Sequence, residues 1–206
     1  MDIGAIPSRF GTDESPKIGI TGLPSVGKTA TLIKIVEKLE EDEFRVGGMI
    51  TKSVYDPKTG RKVGFQIVDW ATKAEGLFAH VDFDTKFKAE TEDGVFCVDV
   101  EVLERIGVGA IENAMRADEI DIIIIDEVGK MEMHSERFVK IVTDCLDTPK
   151  PVIMTLHKKS RNPLLQDIRR RDDVRILEVT PVNKNLLPYK IEKILKDRLD
   201  TTPFYY

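Results

Sequence analysis

Residues 22–29 read GLPSVGKT, an instance of G-x-x-x-x-G-K-[ST] placed between a short apolar run and a stretch of helical periodicity. Few patterns restrict a fold so tightly. Gly22 and Gly27 permit backbone dihedrals that a side chain would forbid, so successive N–H groups can curl about an anion. Ile18 and Ile20 before the loop suit a buried strand, while Leu32, Ile33, Val36 and Leu39 after it recur at helical spacing. The helix therefore starts at the loop and adds its unpaired N–H groups and positive dipole end to the same cradle. Gly22, Leu23, Pro24, Ser25, Val26, Gly27, Lys28 and Thr29 are expected to bind phosphate, with Lys28 reaching the β- and γ-phosphates and the Thr29 hydroxyl serving Mg²⁺.

A phosphate-bound cation needs a second protein oxygen, and in open parallel sheets ligands lie beyond the carboxyl ends of the strands. Ile122, Ile123, Ile124 and Ile125 are followed by Asp126 and Glu127, the pattern of a strand buried on both faces with two acids at its mouth. Asp126 is expected to orient Mg²⁺. Glu127, one residue further, is expected to point elsewhere because side chains alternate along a strand, which suits it to polarise an attacking water. Lys28 and Glu127 are thus the expected catalytic pair. Asp126 and Gly129 also fit D-x-x-G, and Asn183 with Lys184 begins the guanine-reading N-K-x-D. Leu186 stands where that pattern needs an Asp, so the carboxylate that would bond guanine is missing.

Elsewhere short apolar runs alternate with helical patterns, which points to an α/β sheet covered by helices on both faces. Residues 46–54 and 62–69 flank the turn cluster 56–60 and read as an antiparallel hairpin, so the sheet is mixed. Further strands are expected at 95–98, 121–126, 151–156 and 174–179, and helices near 135–147, 163–171 and 183–199. Residues 100–117 have helical spacing, but Gly107 and Gly109 suggest a joint. Residues 70–94, rich in charge, are expected to be irregular. Residues 1–15 read as a loose leader, 16–200 as one domain and 201–206 as a tail.

Acidic residues number 36 against 31 basic ones, a net charge of −5, so no global basic field draws the chain to polyanions and nucleic acid is not indicated. No apolar run approaches the roughly 18 residues that cross a bilayer. Cys97 and Cys145 are too few for a disulfide framework and lack metal-site spacing. These features suit a cytoplasmic chain without membrane partners, and they name no protein partner. His157 ends an apolar run, where it either brings a polar tip toward a terminal phosphate or is half-exposed. Arg169, Arg170 and Arg171 fit a solvated face or a helix-end cluster. Arg61, Arg105, Arg161 and Lys130 stay open as further cations for phosphate.

The combination of GLPSVGKT, GRKVGFQIVD (60–69), IIIIDEVGKMEM (122–133), NPLLQDIRRR (162–171) and VTPVNKNLL (179–187) resembles the small nucleoside-triphosphatases typified by thermophile enzymes and the animal cancer-related nucleoside-triphosphatase. The resemblance runs from about residue 17 to 195. It implies a P-loop NTPase three-layer α/β fold whose mostly parallel sheet is of the additional-strand, catalytic-glutamate type. It also implies Mg²⁺-dependent hydrolysis of several nucleoside triphosphates, ATP and GTP included, to diphosphate and phosphate. Position by position, 22–29 would hold phosphate, Asp126 would serve Mg²⁺ and Glu127 would activate water. The family often shows Asn-Arg where Asn183 and Lys184 stand, and a basic residue then Gly-Tyr where Asp93, Gly94 and Val95 stand. Two alternatives use the same loop: a kinase acting on a small-molecule or polynucleotide acceptor, and a nucleotide-controlled binding module.

Overall fold

The four isoleucines before Asp126 decide how the layers stack. In the computed structural model, which describes residues 15–199, they belong to β7 (Ile122–Val128). Ile123 and Ile125 enter one core, with Leu103, Ile111, Phe138, Val142 and Leu165. Ile122 and Ile124 enter another, with Leu32, Ile35, Val36, Leu39, Ile191 and Leu195. The sheet is accordingly covered on one face by α1 (Lys28–Glu41) and α6 (Leu187–Leu199). The other face carries α2 (Val100–Val102), α3 (Gly109–Arg116), α4 (Glu136–Leu146) and α5 (Pro163–Arg170). The expected leader, apart from Ser15, and the expected tail lie outside the described residues.

The other strands are β1 (Lys17–Gly22), β2 (Val46–Tyr55), β3 (Lys62–Asp69), β4 (Glu75–His80), β5 (Lys88–Thr91), β6 (Gly94–Val98), β8 (Val152–His157) and β9 (Val174–Glu178). They form one sheet in the order β5-β6-β4-β3-β2-β7-β8-β1-β9. From β2 to β9 the pairs are parallel; β2 to β5 form an antiparallel wing. The expected hairpin is β2 with β3, and β8 stands between the loop strand β1 and the acid strand β7. That is the additional-strand arrangement of the P-loop fold.

Two sequence expectations need correction. Residues 70–94 are not irregular, because β4 and β5 lie within them. Their sequences, EGLFAH and KAET, are short and charged, and pairing with β3 and β6 supplies the order that local propensity does not. The joint near Gly107 is a widened turn: α2 runs into a π-helical segment, Leu103–Val108, and on into α3. A Cβ on Gly107 would stand 2.4 Å from Ile67 Cδ1 and 3.1 Å from Met49 Sδ, so the missing side chain lets this helix lie on the sheet.

The wing folds back toward the loops that follow the central strands. Lys130 Nζ donates to the Glu90 carbonyl at 3.0 Å, and Lys159 pairs with Glu92 at 3.2 Å. Among the described residues no helix is long and apolar enough to cross a membrane.

Candidate active site

The chain leaves β1 at Gly22, where a Cβ would stand 2.8 Å from Val26 Cγ1 and 2.9 Å from the Val179 carbonyl oxygen. Gly27 takes φ 104°, a left-handed value that glycine adopts without cost, and no side chain caps the N-terminus of α1 behind it. The first N–H groups of α1 are thereby turned to the loop. Lys28 is buried. Its ammonium lies 3.4 Å from Glu127 Oε2 and donates to the Gly22 carbonyl at 3.5 Å.

One residue on, the Thr29 hydroxyl donates to Asp126, 3.1 Å from Oδ1 and 2.9 Å from Oδ2. Asp126 is fully buried. Thr51 contributes its N–H and its hydroxyl, each at 3.3 Å, and the Thr155 hydroxyl donates to Oδ1. Burial pushes the Asp126 carboxyl above the ordinary range, and the hydroxyls and the N–H oppose that rise. Burial raises Glu127 as well, with Lys28 pulling it down. Strict alternation would turn Glu127 away from the side of Asp126. The β7–β8 pairing shifts register between Ile125 and Val128, and Glu127 comes round to Lys28.

Thr51, Thr155 and Glu132 are site residues that the sequence reading missed. Thr155 had a signal: it interrupts the apolar run of β8 two positions after Ile153, on the face turned toward α1. Thr51 had none, since its place depends on β2 lying beside β7. Glu132 lies in the GKME stretch after β7, is 4% exposed, and is pushed up to about 8, first by burial and then by Glu127.

Below 4.5 the Glu132 carboxyl is protonated in both folded and unfolded chains; between 4.5 and about 8 only the unfolded chain releases the proton, so stability falls as pH rises. Glu132→Gln is expected to remove that fall, about 1.4 kcal/mol per pH unit inside the window. Urea melts of both proteins across the window check this: the variant should gain on the parent toward its upper end and not toward its lower end.

His157 ends β8 in register with Gly22. Its Nδ1 accepts from the Ser160 N–H at 3.1 Å, and burial, with Lys28, Lys130 and Arg169 nearby, lowers its proton affinity. A neutral ring with Nε2 protonated is the form this bond selects. Arg169 clamps the loop behind it by donating to the His157, Lys158 and Ser160 carbonyls. Arg171 pairs with Asp147 and Asp173. Two of the three arginines are therefore structural ties. Asn183 is also spent inside its own loop: Oδ1 accepts from the Thr180 N–H and Nδ2 donates to the Glu178 carbonyl, each at 2.8 Å.

A cavity of about 910 Å³ lies away from this site, beside the opposite end of β1, lined by Lys17, Leu146, Arg171, Asp173 and Ile194 among others. Lys17 and Arg171 there already have partners. Lys17, lowered to about 8 by burial, donates to the Thr148 carbonyl at 2.6 Å and to the Lys150 carbonyl, and Arg171 holds its two aspartates.

A glycine loop at a helix start, a buried acid near the end of the next strand but one and a strand interposed between them define a P-loop α/β protein. The NTPase family model matches residues 17–192. The nucleoside-triphosphatase THEP1 of Thermoplasma volcanium is 38% identical over 180 residues, 87% of this chain and 97% of that one. THEP1 of Methanocaldococcus jannaschii is 43% identical over 142 residues, 69% of this chain and 78% of that one. Among solved structures, THEP1 from the hyperthermophile Aquifex aeolicus superposes with a TM-score of 0.74 at 30% identity, covering 87% of this chain and 99% of that one. A human cancer-related nucleoside triphosphatase superposes with a TM-score of 0.71 at 29% identity, over 89% and 98%. The chain belongs to this NTPase family.

Proposed function

We propose that the protein hydrolyses nucleoside triphosphates to diphosphate and phosphate with Mg²⁺, tolerates different bases, ATP and GTP included, and does so within one domain spanning residues 16–200. The observation that carries this reading is the meeting of two pairs at one strand end, Thr29 with Asp126 and Lys28 with Glu127. Mg²⁺ prefers hard oxygen ligands and keeps several waters, taking one or two protein oxygens plus phosphates. The Thr29 hydroxyl and the Asp126 carboxylate, already within hydrogen-bond distance of each other, are a donor set of that kind and would hold it. When bound, the cation would neutralise charge on the phosphate oxygens.

The chain's own groups do the rest. Residues 22–29 hold the phosphates through backbone N–H groups, and Lys28 leaves Glu127 for the phosphate oxygens. Glu127, relieved of its cation, accepts a proton from the attacking water as the terminal phosphoryl detaches. Base tolerance is supported by Asn183, whose amide is committed to its own loop, and by Leu186, 70% exposed where a guanine-reading acid would stand. Two buried free thiols, Cys145 pushed up to about 12 by burial, support the cytoplasmic setting.

The test is phosphate release from ATP, GTP, CTP and UTP, with Mg²⁺ or with a chelator, and no other acceptor. Rates within about an order of magnitude of one another, all abolished by the chelator, are the expected result, because a site that bonds no base edge discriminates weakly. Preference for one base would defeat the base tolerance. Release appearing only as transfer to an added acceptor would defeat hydrolysis itself.

A further inference from the structure

Glu132 is a buried carboxyl beside this chemistry to which hydrolysis, as derived above, gives no task. It opens the short 3₁₀ turn Glu132–His134 behind β7. Burial raises its proton affinity, the backbone N–H groups of Gly129 and of Glu132 itself oppose that rise, and among the described residues no Lys, Arg or His forms an ion pair with it. Its direction is fixed by Gly129. A Cβ there would stand 2.9 Å from Glu127 Oε1 and 3.0 Å from Glu132 Oε2, so the two carboxyls converge over one glycine that leaves them the room.

The two oxygens of Glu127 therefore have different neighbours. Oε2 faces the Lys28 ammonium at 3.4 Å, and Oε1 is on the side of Glu132. Triphosphate in the loop draws Lys28 to the phosphates and takes away the contact on Oε2. We propose that Glu132 is a positioning residue for Glu127: facing Oε1 over Gly129, it sets the direction in which Glu127 meets the attacking water once Lys28 has turned to phosphate. The inference rests on the reading of Glu127 as the water-activating group.

The charges acting on Glu132 are the carboxylates Glu127 and Asp126. Its neighbours Lys130 and His134 turn to the carbonyls of Glu90 and Lys88. Glu104, from the π segment packed against α4, takes the Ser135 hydroxyl at 2.7 Å and Arg137 at 3.5 Å. Among the described residues no cation forms an ion pair with it, and the proton makes Glu132 a neutral O–H donor instead of a second negative charge against Glu127.

The experiment compares the parent with Glu132→Gln and Glu132→Ala in steady-state phosphate release from ATP with Mg²⁺, across pH. Removing the positioning group is expected to lower kcat in Glu132→Ala by about tenfold or more, the scale of a misplaced acid–base group, with KM little changed. Glu132→Gln keeps an N–H donor at every pH; it should recover most of kcat and lose the alkaline fall expected of the parent as Glu132 ionises. Equal kcat in parent and Glu132→Ala, a change in KM alone, or equal loss in both variants would overturn the proposal. Should Glu132→Ala fail to fold by circular dichroism, Glu132→Gln decides alone: an alkaline limb identical to the parent's overturns it. A parent that releases no phosphate defeats the proposed function. An active parent matched by Glu132→Ala defeats only this inference.

Discussion

Replacing Glu127 by Gln is expected to cut phosphate release by about 10²- to 10⁴-fold, the range a positioned proton acceptor contributes, while nucleotide still binds. The binding half of that expectation comes from the ion pair. Lys28 lies 3.4 Å from Glu127 Oε2 and must leave it to reach phosphate. With Gln at position 127 no charge holds Lys28 back, so triphosphate affinity should match or exceed the parent's. Fluorescent-nucleotide titration alongside steady-state phosphate release separates the two effects. Activity and affinity lost together would show that Glu127 shapes the loop and does not act on water.

The second large effect is expected from Asp126→Asn, and its signature is opposite changes in activity and stability. Asp126 is fully buried among the hydroxyls of Thr29, Thr51 and Thr155 and one N–H. A buried charge without a cationic partner is costly to fold around. The neutral isostere should therefore leave the melting temperature of the nucleotide-free protein unchanged or raise it. Phosphate release should fall by about 10²-fold or more, because a metal at the phosphates is worth several kcal/mol of charge stabilisation, and its dependence on Mg²⁺ should weaken. Thermal melts and Mg²⁺ titrations measure both halves. A lower melting temperature with an unaltered Mg²⁺ dependence would assign Asp126 to structure alone.

What the sequence made legible was contiguous. The loop from Gly22 to Thr29 is a single stretch of backbone leading into a helix start, and the isoleucines before Asp126 announce a strand buried on both sides, so short windows carried both signals. Thr51 and Thr155 were hidden because their role arises across the sheet: Met49 pairs with Ile125, Met154 pairs with Ile125 from the other side, and only that register brings the two threonines to the same acid. β4 and β5 escaped notice for the same reason, being stabilised by neighbours more than by their own residues. Glu127 shows where local rules stop. Alternation along a strand predicts a direction only while the ladder is regular, and here the ladder slips at the acids.

The strand that separates loop from acids also dictates when the site can exist. β1 and β7 never pair; each pairs with β8, which is made after both and joins β1 across more than a hundred residues of sequence. Contacts so distant along the chain form late, since the entropy of bringing their ends together is lost before any pairing rewards it. A growing chain that has not reached residue 152 carries GLPSVGKT and both acids in full. It still lacks the seam that sets them opposite one another, so the arrangement is assembled only after β8 has been made and not with the motifs that advertise it.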